Sequence, residues 1–374
     1  MQLHLIAFNI PFPANYGGVI DIYYKVKALH TIGVKVHLHC FEYGRATADE
    51  LNDISESVTY YKRDTSLLKH TSTLPFIVNS RLNNNLLTNL LKDDFPILFE
   101  GLHCSGFAKH PSLNNRQKFI RMHNIEWQYY EHLATKELTL WKQLFFKLES
   151  WKLKRFERTI LTANNIKLLT ISPNDTRYFK SNYPHLSSIY VPAFHPNETV
   201  NSKLGNGNYA LFHGDLSVKD NEDAALFLID KVFKQLDCKL IIAGLNPSEK
   251  LLAKATENVV IKGNVPQHEM NDLLENAQLN ILISFHSAGM KLKLLNALFK
   301  GRFCVVNQFM VDGTGLEDYC LIGADADALR QKIEQVYHLS FDESQQEKRK
   351  ILLASELSNL RNVEKIYRQL ALSN

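Results

Sequence analysis

LNILISFHSAGMKLKLLNALFKGRFCVVNQ, Leu279 to Gln308, reads as strand, loop, helix and strand in one short stretch. The apolar run LNILISF ends at a polar loop, Gly289, Met290, Lys291, Leu292 and Lys293 open a helix, and a second apolar run closes on Asn307. A strand, a helix and a second strand in that order form a βαβ unit, the building block of a parallel sheet with helices on its faces. The same alternation runs outward in both directions. In the first half the strand candidates are Leu3 to Ala7, Lys35 to Cys40, Val58 to Tyr61, Pro96 to Phe99, Lys118 to Met122 and Lys167 to Ile171. In the second half they are Tyr209 to His213, Lys239 to Ala243, Val259 to Lys262, Leu279 to Ile283 and Phe303 to Asn307.

The chain has 374 residues, more than the roughly 250–300 at which one hydrophobic core stops growing, so two Rossmann-like α/β domains are expected. The stretch VPAFHPNETVNSKLGNGNY gathers Pro, Asn, Gly and Ser between the last element of the first half and the strand YALFHG. The expected division is therefore 1–187, a linker over 188–208, a second domain over 209–341, and terminal helices over 342–374. Apolar spacing through Ile351, Leu352, Leu357, Leu360, Val363 and Ile366 carries that last assignment.

Charged residues make up 22% and the formal net charge is +4, too even for a protein that follows a nucleic-acid backbone. The opening MQLHLIAFNIPFP lacks a basic n-region and a small-residue cleavage site and reads as a first strand. No run approaches the ~20 apolar residues that span a bilayer. Cys40, Cys104, Cys238, Cys304 and Cys320 show no metal-binding spacing and no even framework, which fits a reducing cytoplasm.

In parallel α/β sheets ligands bind beyond the carboxyl ends of the strands, so the residues just after each strand are the informative ones. After the first strand, Gly17 and Gly18 precede an amphipathic helix and allow close approach of a ligand to backbone N–H groups, although a plain strand-to-helix turn reads equally well. Glu100 and His103 follow the run PILF. His123, Asn124 and Glu126 follow KFIRM. A histidine at such a point donates to or accepts from a sugar hydroxyl, or serves as an ordinary hydrogen-bonded loop residue. At the helix opened by Gly289, free N–H groups, the helix dipole and the ammonium groups of Lys291 and Lys293 converge, which suits a diphosphate; the bland alternative is a solvated helix start. The loop around Gly313, Thr314 and Gly315 repeats that logic.

Taken together, the GG loop, HNIE after a mid-domain strand, F-x-G-x-L opening the second half, G-N-V, and G-x-K-x-K-x-x-N-A-L-x-x-G-x-x-V-V over Gly289 to Val306 resemble the family 4 retaining glycosyltransferases of GT-B fold. The resemblance implies two Rossmann-like domains with parallel sheets facing a central cleft, and terminal helices that pack back across it. It also implies that Gly17 and Gly18 lie against donor phosphate or acceptor, that His103 contacts the transferred sugar, and that His123 and Glu100 stand in the same region. Lys293 matches the diphosphate-binding lysine, with Lys291 a weaker partner. Gly214 and Asp215 match the loop opening the donor domain, and Gly263, Asn264 and Val265 the loop that meets the nucleobase. Of the two glutamates that the family places eight residues apart, Ala288 and Asn296 hold the positions here. Asn296 retains the ability to bond ribose hydroxyls, the sugar contacts pass to backbone or to His286 and Ser287, and Gly289 and Met290 count among the donor-binding residues at the helix start.

Asp325 and Asp327 form a D-A-D, but Asp325 reads as the cap of a helix, and no metal site is expected. The segment KELTLWKQLFFKLESWKLKRFER, Lys136 to Arg158, interleaves basic and aromatic residues. It reads either as a core-packing helix with a basic outer face or as a helix that lies on an anionic membrane surface. The resulting expectation is a cytoplasmic, metal-independent retaining hexosyltransferase. It has no cofactor beyond its nucleoside diphosphate sugar, a glycan or lipid-linked acceptor, no nucleic-acid partner, and peripheral membrane contact through 136–158 left open. The alternative is a non-catalytic nucleotide-sugar-binding or scaffold protein of the same fold.

Overall fold

A computed structural model describes residues 1–163, 165–285 and 291–372. It divides into two compact units, one built mainly from Met1–Pro196 with the segment from Asn359 onward, the other from Asn197–Ser287 and Lys291–Ser358.

The first unit holds a sheet of β1 (Gln2–Ala7), β2 (Lys35–Glu42), β3 (Ser57–Lys62), β4 (Ile97–Glu100), β5 (Lys118–Met122), β6 (Ile166–Thr170) and β7 (Ser187–Tyr190), in the order β3-β2-β1-β4-β5-β6-β7. Every pairing is parallel. Alternation along each strand sends side chains to opposite faces: Leu3, Leu5 and Leu98 enter one core with Phe119, while Ile6, Ile97, Phe99 and Ile120 enter the other. The seventh strand is a difference from the sequence reading, which placed 188–208 in a linker. SSIY has no apolar run, yet its backbone continues the ladder from Lys167↔Ser187 to Thr170↔Tyr190, as an edge strand does with half its surface in solvent.

The second unit holds β8 (Ala210–Asp215), β9 (Leu240–Leu245), β10 (Val259–Gly263), β11 (Leu279–Leu282), β12 (Phe303–Val306) and β13 (Leu321–Ile322), all parallel, in the order β10-β9-β8-β11-β12-β13. Ala210, Phe212, Leu240 and Ile242 face one core and Leu211, Ile241 and Ala243 the other. In each sheet the strand order reverses direction at one point, between β1 and β4 in the first and between β8 and β11 in the second. Helices leave the sheet on opposite faces there, which opens a crevice at the carboxyl ends.

The terminal segment divides. The helix Glu343–Leu352, closed at its start by a capping box of Asp342 and Gln345, stays with the second unit, where Arg349 donates to Ser202 Oγ at 3.0 Å. The last helix, Asn359–Ala371, buries Val363, Ile366 and Leu370 in a core of the first unit, while Ile351 and Leu360 remain exposed. Asp325 caps the helix Ala326–Tyr337 by accepting from Ala328 N at 2.9 Å, as expected from the sequence. All five cysteines are free.

Candidate active site

At the β1/β4 switch of the first unit, the residues after the strands form one polar group around an aromatic plate. Gly17 is exposed at the start of the helix Gly17–Thr31, where the first N–H groups lack partners within the helix. Gly18 has a packing reason to be glycine: a Cβ there would stand 2.5 Å from Phe8 Cζ. The Phe8 ring lies 5.3 Å from that of His103 and meets His123 edge-on at 5.6 Å. Gly101, at φ 74°, turns the chain so that His103 folds back toward β4. Gly18, Phe8, His103 and His123 are thus brought together.

Below this plate is a charge network. Glu100, the last residue of β4, is fully buried and lies 2.9 Å from His123 Nε2. Lys25 Nζ sits 2.9 Å from Glu100 Oε1 and 2.8 Å from Asp21 Oδ2. Arg121 on β5 grips both oxygens of Asp21, at 3.1 and 2.9 Å, and spends further donors on the carbonyls of Val191 and Pro192. Two carboxylates thus face two cations, the pairing under which buried charge is tolerable. Burial opposes ionisation of Glu100, but Lys25 and the His123 hydrogen bond outweigh it and hold the carboxyl below its ordinary range. The same balance, with Arg121 as the largest counter-charge, holds Asp21 far down. Asp21, Glu100 and His123 bring ligand atoms within 4.8 Å of one another, a spacing a metal ion could use, but the Lys25 ammonium already stands between the two carboxylates.

His103 differs from His123. Its Nδ1 has no hydrogen-bond partner among the described residues, and the nearest carboxyl oxygen is Glu126 Oε1 at 4.0 Å. Burial, then the nearby Arg81 charge, pulls its pKa well below the ordinary histidine value. Burial also pushes the Glu126 carboxyl up to about 8. A neutral imidazole and a protonated acid side by side suit hydrogen bonding to a neutral polyol rather than to an anion.

At the β8/β11 switch of the second unit the chemistry reverses. Near the carboxyl ends of β8, β9 and β10, Gly214, Gly244 and Gly263 are paired in register, so this rung of three adjacent strands carries no side chain, and Asp215 and Leu245 follow it on β8 and β9. A Cβ on Gly244 would fall 1.7 Å from Gly214 O. Beyond the edge, Asn221 in the helix Lys219–Phe227 lies under Gly214 and donates to Asp215 O at 2.9 Å. Its Oδ1 accepts from Lys293 Nζ at 3.1 Å. Gly214, Asp215 and Lys293 are therefore gathered through Asn221.

Lys293 lies in the first turn of the helix Leu292–Lys300, and Lys291 is the residue that caps it. Burial lowers Lys293 to about 8; burial and then repulsion from Lys293 lower Lys291 to about 8. His213, buried beside them, is pulled down to about 3 by burial and by Lys293, and its Nε2 has no hydrogen-bond partner among the described residues. Two desolvated ammonium groups at a helix start beside a glycine edge form a receptor for a compact anion.

Asn296 accepts from Asn197 at 2.9 Å, which gives it an internal role in this unit. Val265 packs partly on the smaller core, behind Asn264, whose φ of 54° and N–H bond to Gly244 O at 2.7 Å turn the β10 loop. The loop at Gly313 and Gly315 is closed on itself by Thr314, which donates to Val311 O. His286, Ser287, Gly289 and Met290 lie outside the described residues.

The architecture of two all-parallel sheets, each with its switch point, matches solved glycosyltransferases across the whole chain. The fold is GT-B. The catalytic domain of starch synthase IV from Arabidopsis thaliana, bound to ADP and acarbose, superposes with a TM-score of 0.69 over 100% of this chain and 99% of that one, at 11% identity. A trehalose-6-phosphate synthase, solved in a study of glycosyl transfer with retention, superposes at 0.63 over 100% and 99%, at 10% identity. Residues 207–338 match the family model described as Glycosyl transferases group 1. That span contains the glycine edge, Asn221, Lys291 and Lys293. An uncharacterized 44.6 kDa protein in the cps region of Klebsiella pneumoniae is 26% identical over 338 residues, 84% of each chain.

Sequence reasoning passed over Gly244, Asn221, and the Asp21, Lys25 and Arg121 network. Gly244 directly follows the strand LIIA and was open to the same reading as Gly214. Asp21 and Lys25 stand four apart in a helix, a pattern that usually marks a solvated surface pair.

Proposed function

We propose that this protein moves a hexosyl unit from a nucleoside diphosphate sugar to a hydroxyl of a glycan or glycolipid, with retention at the anomeric carbon, in the assembly of a surface polysaccharide. The observation that carries the proposal is the Gly214, Asn221 and Lys293 constellation at the β8/β11 switch, inside the stretch that matches the group 1 glycosyl transferases. The relative from a cps region supports the polysaccharide context, and the trehalose-6-phosphate synthase supports retention by analogy of fold.

In this reading the glycine edge admits the nucleotide close to the backbone. Lys293, with Lys291 and the helix start, stabilises negative charge as it develops on the departing diphosphate. That role needs no metal, because two ammonium groups supply the counter-charge. In the first unit, neutral His103 and protonated Glu126 hydrogen-bond sugar hydroxyls, while the Lys25, Glu100 and His123 chain fixes the tautomer and orientation of His123. The test is release of nucleoside diphosphate from a panel of sugar nucleotides. Slow hydrolysis that disappears in Lys293→Ala supports the enzyme; tight binding with no release from any donor, with or without glycan acceptors, overturns it in favour of a binding protein.

A further inference from the structure

The helix Leu140–Ile160 turns two unlike faces outward and inward. Glu149, Leu153, Phe156 and Ile160 are buried, and Lys152 is buried too, on Glu149 at 2.9 Å and on His70 O at 3.1 Å. Lys154 lies over the Trp127 ring at 3.8 Å. This inner face is the core-packing helix of the sequence reading.

The outer face is apolar where a solvated helix should be polar. Trp141, Leu144, Leu148 and Trp151 follow one another at helical spacing and are 82%, 58%, 50% and 57% exposed. Leu138, just before the helix, and Leu140, its first residue, are 92% and 72% exposed. The turn Leu67–His70, fastened to the same helix through His70 and Phe145, adds Leu67 and Leu68, at 84% and 81%. Cations flank the stripe: Lys142 and Lys147 along its length, and Arg155 and Arg158 continuing it at the C-terminal end. Exposed leucines and tryptophans of this density are costly in water. Tryptophan and leucine rimmed by Lys and Arg match the boundary between headgroups and acyl chains, the cations meeting lipid phosphates while the apolar side chains enter the hydrocarbon edge.

We infer that the outer face of the helix Leu140–Ile160, with the Leu138 and Leu67–Leu68 turns beside it, is a docking surface for an anionic lipid bilayer. The inference goes beyond glycosyl transfer and does not depend on it, since docking is measured without any sugar nucleotide. The helix lies on the surface: no described helix is long and apolar enough to cross a membrane.

The experiment is co-sedimentation of the full chain with vesicles of phosphatidylglycerol and phosphatidylcholine in equal parts, against vesicles of phosphatidylcholine alone, read also by tryptophan emission. The wild-type protein should bind the anionic vesicles with a blue shift of emission, weakening as salt rises. Trp141→Ser with Leu144→Gln should lower partitioning by about ten-fold, and Lys147→Gln with Arg155→Gln and Arg158→Gln by a similar factor only at low salt. All five positions are exposed, so circular dichroism and the melting temperature should not change. Failure of the wild-type protein to bind at low salt overturns the inference. So does a concentration-dependent dimer that Trp141→Ser with Leu144→Gln abolishes, because the face would then belong to a second copy of the chain.

Discussion

The two switch points use the same topology for opposite electrostatics. At β1/β4 charge is settled inside the protein: Asp21 and Glu100 face Lys25 and Arg121, and the groups left for a ligand, His103 and Glu126, are neutral. At β8/β11 the hydrogen bond of Lys293 goes to an amide oxygen rather than a carboxylate, and two desolvated lysines stand beside three glycines. A site whose charges are already paired gains little from an anion. A site holding costly cations gains most when an anion arrives, because binding relieves a penalty that the free protein carries. Fold places a site at the strand ends, and local charge balance decides what it holds.

The sharpest way to break this contrast is to unbalance the settled side. Lys25→Met leaves Asp21 with Arg121 and Glu100 with His123 in a fully buried setting and should cost about 3–5 kcal/mol, enough to remove most folded protein. Adding Glu100→Gln to that variant should recover much of the loss in a urea melt. If Lys25→Met is as stable as wild type, the network is not the closed system described above.

Next in size is the unsettled side. Lys293→Ala removes a charge-assisted hydrogen bond worth about 1.5–3 kcal/mol, one to two decades in kcat/KM, while its effect on folding should be small or favourable because a buried charge is lost. Lys291→Ala should cost less, because the bond to Asn221 belongs to Lys293. Equal losses at every salt concentration would show that the two lysines act as one unit.

The smallest effect is in the pH dependence. Both lysines are lowered to about 8, so they lose their protons as pH rises through that value, and affinity for a nucleoside diphosphate should fall between pH 7 and 9. The decline is at most about ten-fold per pH unit for each proton that binding must restore. Stability moves the other way. Between about 8 and the ordinary lysine value the unfolded chain binds more protons than the folded one, so this pair's contribution to the stability of the free protein rises with pH. Calorimetric titration at the two pH values checks the first statement, and unfolding of Lys291→Met with Lys293→Met against wild type checks the second.

Most of the fold was legible because the signal is local. Strands such as KFIRM and LNIL are apolar runs bounded by polar turns, and their observed limits fall within two residues of those expected. Ser187–Tyr190 and Leu321–Ile322 were not legible: both owe their strand character to backbone pairing with a neighbour, not to their own composition. The candidate site was legible where residue type and position coincide, as with Lys293, His103 and His123. It was hidden where the arrangement depends on tertiary pairing. Nothing in DIYYK says that Asp21 and Lys25 are wholly buried, and Gly244 gains meaning only from its register with Gly214 and Gly263. Asn221 gains meaning only from its hydrogen bond with Lys293.

The central claim is that the second unit binds a nucleoside diphosphate at the β8/β11 switch. Its most direct test is a thermal-shift and calorimetric panel of nucleoside diphosphates against wild type, Lys293→Ala and His103→Ala. A ligand at about 100 times its Kd should stabilise the protein by roughly 2.7 kcal/mol. At least one nucleoside diphosphate should raise the melting temperature of wild type and of His103→Ala, and fail to do so for Lys293→Ala. No shift with any of them, or a shift that survives Lys293→Ala and vanishes in His103→Ala, would contradict the claim.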